Sequence, residues 1–513
     1  MVAESQNTFI TDYENNYLTQ LLEKRLDLNI DFYMLPTDTA ERQTKIALMV
    51  VSNDLTDILL PGLPAEQVLD YGSKGAFIPL NRWLADPQMA PNYTKIRPEL
   101  KPLISSAITS ADGNIYGFPF YQPQTWNLAH HRMWINTSWL DKLGLKAPST
   151  TEELKDVLLA FRDRDPNGNG RRDEIGITGQ YTGGYGENVI AALINAFIFY
   201  NKGALSLDSA GNRVTAPFTE PAFRQALVYL NGLFKEGVLD PGIFTNNQQQ
   251  FRSTINAEPM TVGFLSFGSG SNFPNSLTNP NYAQIMIIPP LKGPGGVSWA
   301  PYTDYIPSQN GFIASKSKYQ EQAFKLLDAF MDIDVSMAAR WGEEGIDWSR
   351  KPEDLEKYKN INGNVMSGVY PSLLYVVLTE TWAAPTDKHW HNENPRYAPM
   401  EEVNTNRLAY AWRPPYDPED KDTKVSIIHN EYYVDAHPRY VLPQLKYTND
   451  EGARLSEPIT NVNTYVDQSI AEFIIGSRDV SNDAAWNAYL RELDNLGLQQ
   501  WVTVAQTAYN RQR

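Results

Sequence analysis

Apolar residues at Tyr17, Leu18, Leu21, Leu22 and Leu26 recur every three or four positions, the period of a helix that buries one face. Alternation in NIDFYML (29–35) then predicts a strand, ERQTKIALMVVSND (41–54) a second helix, and DLTDILLPG (54–62) a buried strand. Helical and short apolar segments continue to alternate, which predicts an α/β architecture with mainly parallel sheet. GNIYGFPFYQP (113–123) reads as a strand pair closed by proline, and HHRMWIN with TSWLDKLGL (130–145) opens a new strand-and-helix series, so a crossing between lobes is placed there. Pro and Gly crowd the stretch between the apolar strands of IMIIPPLKGPGGVSWAPYTDYIPSQNGFIAS (285–315), marking a second crossing, and the helix YQEQAFKLLDAFMD (319–332) follows.

From about Gly342 to Pro443 the pattern dissolves into loops carrying Trp348, Trp382, Trp390 and Trp412, and long irregular stretches in compact proteins are more often functional than idle. Helical spacing returns at Val462, Val466, Ile470, Phe473 and Ile474, and again at Trp486, Leu490, Leu493 and Leu496, both read as core-facing stripes.

Composition narrows the function. No apolar run in the 513 residues approaches the roughly 18 needed for a membrane helix. A net charge of −16 opposes binding to a phosphate backbone, so nucleic acid is not expected as a partner. With no cysteine, disulfides, thiolate nucleophiles and cysteine-ligated metals are excluded. The first 25 residues contain no basic segment followed by an apolar one. Twelve tryptophans exceed what a core of this size requires and point to flat apolar platforms.

DRDPNGNGRRDE (163–174) leaves the end of a helix, predicted from the Thr150–Glu153 capping spacing and the apolar face Leu154, Val157, Leu158 and Phe161. Asp165, Asn167 and Asn169 occupy the first, third and fifth positions of an EF-hand loop, Gly170 the sixth, and Arg171 the seventh, where a backbone carbonyl ligates. An EF-hand closes with Glu at the twelfth position; here Asp173 and Glu174 stand at the ninth and tenth, so the loop must close sooner. Six or more hard oxygens suit Ca²⁺, and no His or Ser accompanies them for catalysis, so a structural clip is expected. An Asn/Gly/Asp turn without metal is the bland reading, weakened by repulsion among its carboxylates.

Catalytic signatures are sparse. There is no H-E-x-x-H, G-x-S-x-G, Walker loop or G-x-G-x-x-G. HWH (389–391) reads as solvated loop histidines rather than zinc ligands, and FLSFGSGSNF (264–273) as a turn more readily than an anion cradle. Carboxylate pairs such as Glu343/Glu344 and Glu401/Glu402 leave a glycosidase reading open.

Several stretches together resemble the extracellular solute-binding proteins of bacterial ABC importers (family 1), in the large oligosaccharide-binding subgroup that includes the alginate-binding proteins. They are YLTQLLEKRLDLNIDFYMLP (17–36), NDLTDILLPG (53–62), DGNIYGFPF (112–120), the most specific run from Met133 to Gly179, and the C-terminal run from Asn463. The resemblance implies an α/β, type II, two-lobed periplasmic-binding-protein-like fold with a hinge and a ligand cleft between the lobes. It implies lobe 1 over 1–122 and 309–370, lobe 2 over 123–308 with the calcium loop 165–174, and a loop-rich cleft segment with C-terminal helices over 371–513. It also implies Ca²⁺ held by Asp165, Asn167, Asn169, Arg171, Asp173 and Glu174.

Further implications are an oligosaccharide ligand, delivery to ABC permease subunits, a monomer, and placement at the extracellular face of the membrane or in the periplasm. The family's lipid-bearing cysteine is not in this sequence. Sugars need aromatic plates flanked by polar side chains. The candidates near strand ends and crossings are Tyr121, Gln122, Trp126, Phe267, Ser269, Trp299, Tyr302, Glu380 and Trp382, and a uronate would draw on Arg132, Lys388, Arg396 or Arg413. A carbohydrate-active enzyme (hydrolase or lyase) and a receptor for a peptide or other solute stay open as alternatives.

Overall fold

The computed structural model describes residues 1–7, 10–96, 98, 100–121, 125–274, 279–303, 307–357, 376–379, 386–390, 396–397 and 421–513. The chain forms two compact units, one from residues 1–124 and 305–417, the other from 125–304 and 418–513. The first two passages therefore lie two and four residues from the divisions expected at 122/123 and 308/309. The third stands at 417/418, within the stretch 371–513 expected to complete both lobes, so the first unit keeps much of the loop-rich stretch.

In the first unit, six strands lie in the order Arg396–Tyr397, Gly117–Tyr121, Ser308–Ile313, Ile58–Leu59, Val2–Ser5, Phe32–Leu35. Val2–Ser5 pairs in parallel with both neighbours, as short strand–helix–strand connections require. Ser308–Ile313 runs antiparallel to both of its own. It returns from the other unit and so is free of the handed crossover that forces parallel pairing. The sheet is mainly parallel, five of its six strands running one way with Ser308–Ile313 the exception, and Gly117–Tyr121 is one strand rather than a hairpin. Beneath it, Leu18 and Leu22 of the helix Tyr17–Leu26 join Phe118, Ile313, Phe324 and Leu327 in a common core.

One pin from the loop-rich stretch enters that core. Asp387 accepts from Thr11 N (2.8 Å), Thr11 Oγ1 (2.6 Å) and Asp12 N (2.9 Å). Trp390 is fully buried edge-on to Phe32 and Phe330, and its Nε1 donates to Thr19 Oγ1 at 2.7 Å. His389 beside it is fully buried as well, not solvated, while His391 lies outside the described residues.

The second unit carries the strand order Ile285–Ile288, Met133–Asn136, Val262–Ser266, Ile175–Ile177. Met133–Asn136 is antiparallel to both neighbours and Ile175–Ile177 parallel to its one, so this sheet is mixed. The helix Asn449–Ile475 lays Val462, Val466, Ile470, Phe473 and Ile474 against the helix Pro221–Lys235 through Leu227 and Leu230. Trp486 and Leu493 are buried on the helix Asp483–Asn495, with Leu490 and Leu496 partly buried against the same core. Among the described residues no helix is long and apolar enough to cross a membrane.

Candidate functional site

Thr150 caps the helix Thr151–Asp163 by accepting from Glu153 N at 3.1 Å. Glu153 reaches past the cap to Ser149 N and Oγ, both at 2.7 Å. That helix delivers the chain to Asp165, whose positive φ of 44° starts a loop also turned by Gly168 (φ 75°) and Gly170 (φ 73°). Asp165 Oδ1 accepts from Gly168 N (3.0 Å) and Asn169 N (3.2 Å), and Oδ2 from Gly170 N (3.0 Å). Asn167 Oδ1 accepts from Asn169 N, and Asn169 Oδ1 from Arg171 N. The loop is thus curled around its own oxygens, and Lys142 Nζ holds its outside through Pro166 O at 2.8 Å.

Glu174 closes the ring. Both of its carboxylate oxygens are buried and accept no hydrogen bond. Burial, with Asp165 and Asp173 beside it, pushes its carboxyl above the ordinary range. Asp173 moves the opposite way, held low by the amides of Asn169 and Asn167, which donate to it at 3.0 and 3.1 Å. Among the described residues no group of three or more His, Asp or Glu is already arranged to hold a metal ion, and here the Asn167 and Asn169 amides are turned toward Asp173. A buried carboxylate with two idle oxygens facing two further acids is chemically suited to a hard cation, so the donor set fits Ca²⁺.

A second constellation lies in the same unit, where loops follow the strands Ile175–Ile177 and Val262–Ser266 and the chain enters the antiparallel strand Met133–Asn136. Gly183, Gly184 and Gly186 all have φ between 74° and 91°, bending the chain sharply around Tyr185. The Tyr185 ring stacks on His130 at 4.9 Å and 12°, and its hydroxyl donates to Asn127 Oδ1. Behind it Glu187, fully buried, accepts from Asn272 Nδ2 at 2.8 Å and is held above the usual carboxylate range by burial. Burial also holds His130 at about 4 and His131 well below the ordinary imidazole value, so both rings are neutral near pH 7.

The segment 299–303 adds the half-buried Trp299 and Tyr302. Tyr302 meets the His437 ring at 4.0 Å. Ser269 is half-buried in the Gly/Ser loop, whose neighbouring amides are already used: Gly268 N donates to Tyr185 O and Phe273 N to Gly270 O.

Two expected ligand contacts are instead core residues. Phe267 is fully buried, stacked on Trp134 at 4.4 Å and 9°, and Tyr121 is buried in the core of the other unit. Trp126 stands on the short helix Thr125–Leu128, while Gln122, Glu380 and Trp382 lie outside the described residues. Arg132 is fully buried, donating to His429 Nδ1 (3.0 Å) and Gly268 O (2.5 Å), and Lys388 pairs with Glu343 at 2.7 Å. Arg396 lies on the strand Arg396–Tyr397, and Arg413 lies outside the described residues. Tyr185, His130 and His437 were not among the sequence candidates; the G-G-Y-G run was the one local signal for the first.

Residues 12–332 match the family model of bacterial extracellular solute-binding proteins. The fructooligosaccharide ABC transporter substrate-binding protein FusA of Streptococcus pneumoniae serotype 4 is 26% identical, over 97% of this chain and 87% of its own. Its structure in complex with kestose superposes with a TM-score of 0.79 at 22% identity, covering 99% and 98% of the two chains. A FusA EF-hand mutant in complex with fructo-nystose matches equally well, at a TM-score of 0.79, 22% identity and the same coverage. The alginate-binding protein AlgQ2 without calcium ion gives 0.71 at 20% identity over 99% and 97%. These solved structures share the two-lobed α/β fold. The chain therefore belongs to the bacterial extracellular solute-binding proteins, which hold a substrate for an ABC transporter rather than transform it.

Proposed function

We propose that the chain captures a neutral oligosaccharide and passes it to the permease of an ABC importer. The observation that carries this reading is the near full-length match to a fructooligosaccharide-binding protein. The second unit supports it with half-buried rings at Trp299, Tyr302, His437 and Tyr185, interleaved with amides and hydroxyls that suit sugar C–H faces and hydroxyl groups. Neutrality is favoured over a uronate because Arg132 and Lys388 already serve partners inside the protein.

Ca²⁺ in the 165–174 loop, held by Asp165, Asn167, Asn169, the Arg171 carbonyl, Asp173 and Glu174, is proposed as a structural ion. It would neutralise Glu174 and its acidic neighbours. The FusA EF-hand mutant in complex with fructo-nystose favours a role for this loop separate from the ligand. A monomer tethered outside the membrane by an N-terminal lipid completes the reading; sedimentation and mass spectrometry of the cell-derived protein test those two points.

A thermal-shift panel of kestose, longer fructans, oligogalacturonates, alginate oligomers and a peptide tests the ligand class. Neutral oligosaccharides are expected to raise Tm. Stabilisation by the acidic sugars or the peptide alone would overturn the reading.

A further inference from the structure

We infer that Asn201 is a positioning residue for ligand capture, acting through the backbone of Tyr302; the inference rests on the oligosaccharide reading of this unit. The Asn201 carboxamide grips both polar groups of one peptide neighbour. Its Nδ2 donates to Tyr302 O at 2.6 Å, and its Oδ1 accepts from Tyr302 N at 3.0 Å. A side-chain amide used in this way replaces a strand partner and fixes the N–H and C=O of a loop residue together. Those two atoms fix the Cα–Cβ direction from which the Tyr302 ring projects, and the ring is set against His437 at 4.0 Å.

The grip is anchored by a second one of the same kind. Asn195, fully buried at the end of the helix Val189–Ile194, donates to Tyr200 O at 2.7 Å and accepts from Tyr200 N at 3.1 Å. Its own carbonyl accepts from Trp299 N at 3.1 Å. Lys202, on the other side of Asn201, pairs with Asp467 at 3.1 Å and lies 4.1 Å from the Tyr181 ring. Asn201 thus sits between two fixed residues, and Trp299 and Tyr302 both take their backbone placement from residues 195–202.

Beyond Tyr302 the chain is tied once more, Thr303 N to Leu128 O at 2.8 Å, before it passes to the other unit after residue 304. Tyr302 is therefore held on both sides of the loop that ends this unit's first segment. A residue that only filled space would not present a donor and an acceptor to the same backbone residue. The placement assigns Asn201 to orienting a ligand-facing ring, without contact to the sugar.

Kestose binding is measured by calorimetry on the full-length wild type, Asn201→Ala, Tyr302→Ala and the double variant, with Tm recorded for each. Asn201→Ala is expected to weaken binding about tenfold. In the Tyr302→Ala background it should cost nothing further, because its effect runs through that ring. Asn201→Asp, equal in shape but lacking the donor, provides the same comparison if the alanine variant folds poorly. Wild-type affinity in Asn201→Ala and Asn201→Asp, or full additivity with Tyr302→Ala, overturns the inference. A wild type that binds no panel sugar overturns the oligosaccharide reading instead.

Discussion

Gly186 shows how closely the Tyr185 turn is built. A Cβ there would stand 2.1 Å from His130 O and 2.7 Å from Gly268 N, at a φ of 91° that side chains resist. Backbone cannot yield as a flexible side chain would, so Gly186→Ala should destabilise the protein by about 3 kcal/mol, read as a shift in urea midpoint. Gly183→Ala, with one contact at 3.1 Å to the Gln180 amide, should cost distinctly less. Glu174 makes a pH-dependent prediction. Because burial raises its folded value above the ordinary 4.5, its contribution to the metal-free protein is present at low pH and lost as pH rises through the raised value. Glu174→Gln should therefore stabilise chelated protein at pH 7 to 8 and do little at pH 4. Calcium, binding the ionised form, should stabilise the wild type increasingly over the same rise, and the Gln variant much less. Melting curves at both pH values with and without EDTA check this, and a flat difference between the two proteins across pH would count against the site.

At the scale of elements, the helix Asn449–Ile475 is twenty-seven residues long with Pro458 inside it, so its start matters. Thr448 and Glu451 form a reciprocal capping box, and Arg511 holds Glu451 at 2.7 Å, keeping its carboxyl down at about 2. Thr448→Ala should cost about 1 kcal/mol, with Thr448→Ser recovering most of it in chemical unfolding. This helix was legible in the sequence from its apolar stripe, as was Tyr17–Leu26, because a helix writes its period over ten or more residues. Val2–Ser5 was not legible: four residues, VAES, are too short to display alternation, and their burial comes from pairing with Phe32–Leu35 and Ile58–Leu59. Strand direction was hidden for a related reason, since Ser308–Ile313 pairs with strands nearly two hundred residues or more distant. The acidic loop was readable because its ligand types follow one another at fixed spacing. The Tyr185–His130 and Tyr302–His437 contacts were not, because each pair of rings meets only after the unit folds, and Phe267 was misplaced because nothing local separates a core aromatic from an exposed one.

Across the molecule, the two units have separate cores and separate sources of stability. Val157, Phe161 and Leu230 belong to the core of one, alongside the 165–174 loop; Trp390, Phe118 and Phe324 belong to the other. Chelation should act on the calcium-loop unit, and Trp390→Ala, which empties a fully buried site and orphans the Thr19 contact, should act on the other. A ligand stabilises the unit that holds it by mass action, about 2.7 kcal/mol at a hundredfold excess over Kd. Calorimetry should therefore resolve the two perturbations as lowered transitions of different units, and the proposed oligosaccharide, tested as saturating kestose, should raise the transition that chelation lowers, because Trp299, Tyr302, His437 and Tyr185 stand in that unit. If saturating kestose instead raises only the transition that Trp390→Ala lowers, the rings of residues 125–304 and 418–513 do not hold the sugar.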